Sequence, residues 1–170
     1  CLGEVMSFRP LTIASPLYRA YATMRLRCMQ AWVNMWRMPE MHAGVPGKGA
    51  TDVWYEVLLD IEQLEVEQEA FCGVVADILK FFDQVVRELV YTMASIAGVP
   101  KKVLHAHKTH VEGLKVYSCL AGGIGSPYVR KCGIPQGCPF SMMIVALLMR
   151  TWLCIMQEAT MKATRLADDV

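Results

Sequence analysis

Three carboxylates carry the first chemical signal. Asp77 closes a short run, FCGVVADI (71–78), whose paired valines read as a buried strand, and Asp168 and Asp169 sit together in ATRLADDV, which reads as a strand entering a turn. Carboxylates gathered at strand ends repel one another unless a cation lies between them, which points to hard divalent metals with oxygen ligands. Two such metals about 3.5–4 Å apart activate a hydroxyl and stabilise the leaving oxygen of an in-line phosphoryl displacement. An Asp-Asp pair in a turn is also ordinary turn chemistry, so spacing alone leaves both readings open.

Four helices are expected to position these acids. Ser15 followed by Pro16 is an N-cap with proline in the first turn, and Leu17, Tyr21, Met24, Cys28, Ala31 and Met35 recur on one face. A glycine-rich loop, GVPGKGATD (44–52), leads into an acidic helix with Trp54, Val57, Leu58, Ile61 and Leu64 in register. A third helix places Phe82, Val85, Val86, Leu89, Met93 and Ile96 together and is stopped by Gly98 and Pro100. Residues 101–131 are the least readable region, with a short strand at LKVYSCL and a flexible loop at AGGIGSP. The fourth helix begins near Ser141, its N-cap, with Met142, Val145, Leu148, Trp152 and Ile155 on one face.

With 170 residues, 54% of them hydrophobic and 19% charged, the chain can bury one core, in one or two lobes. The net charge is only +1, but it is segregated: Asp52, Glu56, Asp60, Glu62, Glu65, Glu67 and Glu69 follow one another without a base. Arg9, Arg19, Arg25, Arg27 and Arg37 share a segment whose only acid is Glu4, and Lys101, Lys102, Lys108, Lys115, Arg130 and Lys131 share one whose only acid is Glu112. Such segments suit a polyanion, because neutralising phosphates releases counterions, and equally suit a solvated face. The seven cysteines are scattered without a Cys-x-x-Cys pair, which argues against a disulfide framework or a zinc ribbon. No charged-then-apolar leader precedes the first patterned segment. The expectation is an intracellular protein, nuclear or cytoplasmic and not secreted. The apolar run from Phe140 to Met149 is interrupted by Arg150, short of the roughly 20 residues that span a bilayer, and reads as a buried helix.

Other constellations are weaker. His105, His107 and His110 lack a cysteine or acid at ligand spacing and read as part of a basic or exposed loop. GGIGSP lacks the GK[ST] end of a phosphate-binding loop, and the twelve methionines read as core filling.

Five stretches in fixed order resemble the reverse transcriptase domain of retroelements, of the non-LTR retrotransposon and group II intron type. FRPLTIASPLYR (8–19) is similar to a fingers motif with an Arg-Pro and a Tyr-Arg pair, AGVPGKGATD (43–52) to the GF-x-x-G-x-S-T-x-D loop, and ADILKFFDQV (76–85) to the first catalytic motif. GIPQGCPFS (133–141) is similar to G-x-PQG-x-P-x-S, the most specific of the five, and LADD (166–169) to Tyr-Ala-Asp-Asp, with Leu166 in place of the aromatic residue.

The resemblance implies an RNA-templated DNA polymerase that adds deoxynucleotides to a primer 3′-hydroxyl. It implies two Mg²⁺ ions, with Mn²⁺ as the alternative, bound by Asp77, Asp168, Asp169 and the backbone carbonyl of Ile78. Nucleotide binding would fall to Arg9, whose planar fork suits a triphosphate, to Gln136, to Pro135, which stiffens its loop, and to Gly133 and Gly137, which let backbone approach template and nucleotide closely. Phe82, five positions beyond Asp77, matches the aromatic gate that rejects a ribose 2′-hydroxyl. Read from residues alone, it is the first core contact of the third helix, with Asp83 as N-cap.

The implied fold is α+β: the fingers and palm of a right-hand polymerase, with a small antiparallel palm sheet packed on helices and no thumb. Residues 1–70 would be fingers, 71–104 palm, 105–132 an insertion between fingers and palm, and 133–170 palm with a catalytic hairpin cut short after Asp169. The implied partners are an RNA template, a DNA or RNA primer and deoxynucleoside triphosphates, with no membrane. A cut hairpin would leave an isolated chain of this length weak or inactive. The rival readings are an RNA-dependent RNA polymerase and a catalytically inactive nucleic-acid-binding remnant.

Overall fold

A computed structural model describes residues 11–73, 75 and 77–159. The chain is mixed helix with small antiparallel sheets, in the order α1 (Pro16–Cys28), α2 (Gln30–Trp36), α3 (Ala50–Val66), α4 (Phe81–Gln84), α5 (Arg87–Ile96), α6 (Lys101–Glu112), β1 (Lys115–Val116), β2 (Cys119–Leu120), β3 (Gly123–Ile124), β4 (Tyr128–Val129) and α7 (Pro139–Ala159). Packing divides the described residues into two units, one of 11–23 and 79–141, the other of 24–73, 75, 77–78 and 142–159.

Pro16 opens α1, where its missing N–H is not needed. The single first helix that was expected is broken at Met29, whose N–H is shared between the carbonyls of Arg25 and Leu26 at 3.1 and 3.0 Å, and α2 restarts from there. Ala22, Met29 and Val33 are buried, whereas Leu17, Met24 and Met35 of the expected face are exposed.

In the first unit the expected third helix is also divided. The carbonyls of Phe82 and Val85 accept from Ile134 and Gly133 at 2.7 and 2.9 Å, and Val85 leaves the helical region with ψ 126°. The chain then re-enters as α5, whose buried residues are Arg87, Val90, Tyr91 and Ala94 rather than Val86, Leu89 and Ile96. Its stop is as expected: Gly98 has φ +87°, its N–H reaches Ser95 O at 3.2 Å, and Val99 N–H reaches Ala94 O at 3.0 Å, a Schellman ending.

Residues 101–112, in the region the sequence left least readable, form α6. Val103, His107 and Val111 are its buried stripe at i, i+4 and i+8, and it packs on α5. An antiparallel ribbon follows, with Lys115 opposite Val129, Val116 opposite Tyr128, Cys119 opposite Ile124 and Leu120 opposite Gly123. Ala121 and Gly122 both have positive φ, the requirement of a type I′ hairpin turn, so AGGIGSP is ordered rather than loose. One extra residue lies between Ile124 and Tyr128, where Pro127 has no N–H for the ladder.

The strand expected at 71–78 is not found among the described residues of that stretch. Its described residues form no strand and are exposed, Val75 completely. A strand needs a partner to satisfy its backbone, and every ladder among the described residues lies within 115–129.

In the second unit, Asp52 begins α3 by accepting the Gly49 N–H at 2.7 Å. The helix is as expected but buries no residue: Trp54 and Leu58 are exposed and Val57, Ile61 and Leu64 half-buried. The preceding loop is strapped by Arg37 donating to Pro46 O at 2.8 Å and by Lys48 donating to Pro39 O at 2.6 Å, and His42 Nε2 lies 3.0 Å from a Glu56 carboxylate oxygen. α7 starts at Pro139, two residues before the expected N-cap, since proline is well placed at the first helical position. Its buried stripe is Phe140, Met143, Ile144 and Leu147, with Met142, Trp152 and Ile155 exposed. Over Pro139–Glu158 the helix is long and apolar enough by composition to cross a bilayer, a test that a core helix with such a stripe also passes.

Gly44 has φ +73°, and a Cβ there would collide with the carbonyl of Met142; Gly47 has φ +78° but open space around it. Gly47→Ala is expected to cost about 1 kcal/mol of backbone strain, and Gly44→Ala, which adds the clash, at least about 2 kcal/mol. Urea unfolding midpoints of the two variants check this order.

Candidate functional site

The loop from Cys132 to Ser141 is held by its own backbone. Arg87, buried on α5, donates from Nε to Gly133 O at 2.7 Å and from Nη2 to Cys132 O at 3.2 Å, while Nη1 meets Glu112 at 3.2 Å. Tyr91 donates to the other Glu112 oxygen at 3.0 Å, and burial, with that hydrogen bond, raises the phenol's pKa. On the far side of the loop Thr12 N–H donates to Gln136 O at 2.8 Å. Ser141, expected to cap α7, lies inside its first turn and donates from Oγ to Pro135 O at 2.7 Å.

Both glycines of the loop are required by this chain's own backbone. Gly133 has φ +79°, and a Cβ would stand 2.7 Å from Phe82 O and 2.8 Å from Asp83 O. Gly137 has φ +106°, and a Cβ would stand 2.7 Å from Thr12 O. At both glycines the backbone that comes close is this chain's own, at residues 12 and 82–83.

Beneath the loop, Tyr18 on α1 joins two elements. Its Oη lies 3.0 Å from His107 Nδ1 and 3.2 Å from Cys138 Sγ, and its ring stacks on His110 with centroids 3.5 Å apart. Burial, then the bond to Cys138, raises the Tyr18 pKa. His107 Nε2 is buried without a hydrogen-bond partner, and the ring meets Phe140 edge-on at 5.4 Å. The three histidines therefore lie on a helix rather than in a loop, with His107 buried, His110 half-buried and His105 exposed as expected.

The structure thus brings Phe82, Gly133, Pro135, Gln136 and Gly137 together in the first unit. Phe82 is half-buried, edge-on to Phe81. Asp83 caps no helix; it lies within α4, whose N-cap is Lys80, and its carboxylate pairs with Arg130. Asp77 and Ile78 are exposed and belong to the second unit. Arg9, Asp168 and Asp169 lie outside the described residues. Among the described residues no group of three or more His, Cys, Asp or Glu side chains gathers to hold a metal.

The profile of the family described as Reverse transcriptase (RNA-dependent DNA polymerase) matches residues 4–170. The chain belongs to the reverse transcriptase family. No curated protein and no solved structure matches it significantly. In this reverse transcriptase chain, sequence reasoning passed over Arg87, Thr12, His107 and Cys138 as site residues. Tyr18 and Cys138 stood inside quoted motifs without a role, and the signal for His107 was its place in the Val103–Val111 stripe.

Burial, helped by His110, lowers the His107 pKa from the ordinary 6.5 to about 4. The unfolded chain takes up this proton below pH 6.5 and the folded chain only near pH 4, so stability is undiminished above 6.5 and falls as pH drops toward 4. Between pH 7 and 4.5 the parent is expected to lose on the order of 2 kcal/mol more than His107→Gln, read from urea midpoints at the two pH values.

Proposed function

We propose that this chain forms fingers and palm of a reverse transcriptase that extends a primer 3′-hydroxyl with deoxynucleotides on an RNA template. The observation that carries this reading is the hydrogen bond from Ile134 N–H to Phe82 O, which ties the gate candidate to the loop of Gln136 in one body. In the reaction the 3′-hydroxyl gives up its proton to solvent, its oxygen bonds to the α-phosphorus, the bond from that phosphorus to the bridging oxygen breaks, and pyrophosphate leaves.

Gln136, half-exposed on a loop fixed on both sides, contacts the incoming nucleotide, and the ring of Phe82 fills the space a ribose 2′-hydroxyl would need. Arg9 grips the triphosphate. The exposed arginines of α1, Arg19 and Arg27, suit the phosphates of an RNA template, and such contacts weaken with salt. Asp77, Asp168, Asp169 and the Ile78 carbonyl form an all-oxygen donor set that fits Mg²⁺ or Mn²⁺, and the exposed Asp77 carboxylate is open to a cation. Two such ions, when bound, supply Lewis-acid stabilisation of the entering and leaving oxygens. On this reading 1–70 are fingers, 71–104 and 133–170 palm, and 105–132 the insertion between them.

Asp168→Ala in the full chain is expected to lower template-directed deoxynucleotide incorporation by roughly three orders of magnitude, several kcal/mol of transition-state stabilisation. Activity equal to the parent's would remove the metal site. Phe82→Val is expected to shift the ratio of kcat/KM for ribo- over deoxynucleotides upward by at least about tenfold, because the steric exclusion is gone. An unchanged ratio would sink the gate.

A further inference from the structure

We propose that Tyr18 is a positioning residue for the nucleotide-binding loop: its hydroxyl fixes Cys138, two residues beyond Gln136, to His107 on α6, while Thr12 fixes the carbonyl of Gln136 itself. The inference rests on the reverse transcriptase reading for what the loop binds. Nothing in that reading gives Tyr18 or Cys138 a task.

The geometry is a joint with three arms. Tyr18 Oη stands 3.0 Å from His107 Nδ1 and 3.2 Å from Cys138 Sγ, and Cys138 is 4% exposed. A hydroxyl has one proton, so when Tyr18 donates to His107 it accepts from the Cys138 S–H, and when it donates to the sulfur it accepts from His107 Nδ1–H. Either way the hydroxyl is used twice. His107 has no hydrogen bond at Nε2, so Tyr18 supplies the polar contact that sets its ring; Tyr91 and Phe140 meet that ring edge-on and His110 stacks on Tyr18. The backbone bond of Thr12, six residues earlier in the chain, holds the loop on the other side of Gly137, where a Cβ would strike Thr12 O. Residues 12–18 thus grip the loop at Gln136 and at Cys138, and the amide of Gln136 is carried between those two points.

The test uses the full chain and two readouts. In Tyr18→Phe the ring and its stacking on His110 remain and the hydroxyl is lost. Native-state labelling of Cys138 by a small thiol reagent, resolved by peptide mass spectrometry, is expected to speed up about tenfold, and KM for deoxynucleotide to rise by a similar factor with kcat within about twofold. Cys138→Ala leaves the bond of Tyr18 to His107 in place, so it also serves should Tyr18→Phe fold poorly. It is expected to reproduce the rise in KM, Cys138→Ser to restore the parental value, and the double variant to be no worse than either single change. Parental labelling and KM in Tyr18→Phe would overturn the proposal, as would additive effects in the double variant. Faster labelling with unchanged KM would also overturn it, because the joint would then hold a loop that does not position nucleotide. Labelling needs no turnover: if Asp168→Ala incorporated as the parent does, the functional reading would fall while the labelling result stood.

Discussion

One buried guanidinium decides what the loop of Gln136 can be. Arg87 is 6% exposed, and taking such a charge out of water costs several kcal/mol unless its donors are used. Here all three nitrogens donate, to two consecutive carbonyls and to Glu112. Glu112 is itself 44% exposed, so Coulomb attraction is weakened by water and the two carbonyl bonds carry the larger share of the compensation. Those carbonyls belong to Cys132 and Gly133, so the loop's entry is fixed by the same bonds that make the buried charge tolerable. A lysine would bring a single point of charge to three acceptors that need a fork.

With its entry fixed, the rest of the loop follows by exclusion. Gly133 N–H and Ile134 N–H reach back to the carbonyls of Val85, the residue that ends α4, and of Phe82 within it, so the loop and the break require each other. A continuous helix from Phe82 to Ile96 would consume those carbonyls internally and leave the loop's N–H groups unpaired. Glycine at 133 and 137 then has a steric cause inside the protein: at both positions φ is positive and a side chain would strike backbone.

Punctuation was the most legible part of the sequence. Pro16, Gly98 and Pro100 mark helix ends where the structure has them, because these residues act through local backbone geometry. The phase of the helices was not legible. α5 and α7 have apolar residues on more than one face, so the stripe through Met142 and Trp152 and the stripe through Phe140, Met143 and Leu147 fit the same period, and only packing chooses between them. α6 was hidden by its three histidines, which weigh as polar although His107 packs as an aromatic. In the site, Gln136 and Phe82 stood out through motifs, but their supports did not: Arg87 lies 46 residues from Gly133, and Tyr18 lies 120 from Cys138. Contacts at such separations leave no local pattern to read.

The way the loop's polar groups are spent bears on what it can recognise. The carbonyls of Cys132, Gly133, Pro135 and Gln136 each accept from Arg87, Thr12, Ser141 or the loop itself. A surface that must accept every base pair in turn cannot present a fixed pattern of donors and acceptors, since such a pattern favours one base over another. Those four carbonyls are already satisfied inside the protein, so on the proposed function they would not read the base, and the Gln136 amide would be the loop's side-chain contact. On the function proposed above, selection of the sugar would fall on the bulk of Phe82, tied to the same loop by backbone, and selection of the base on the template strand.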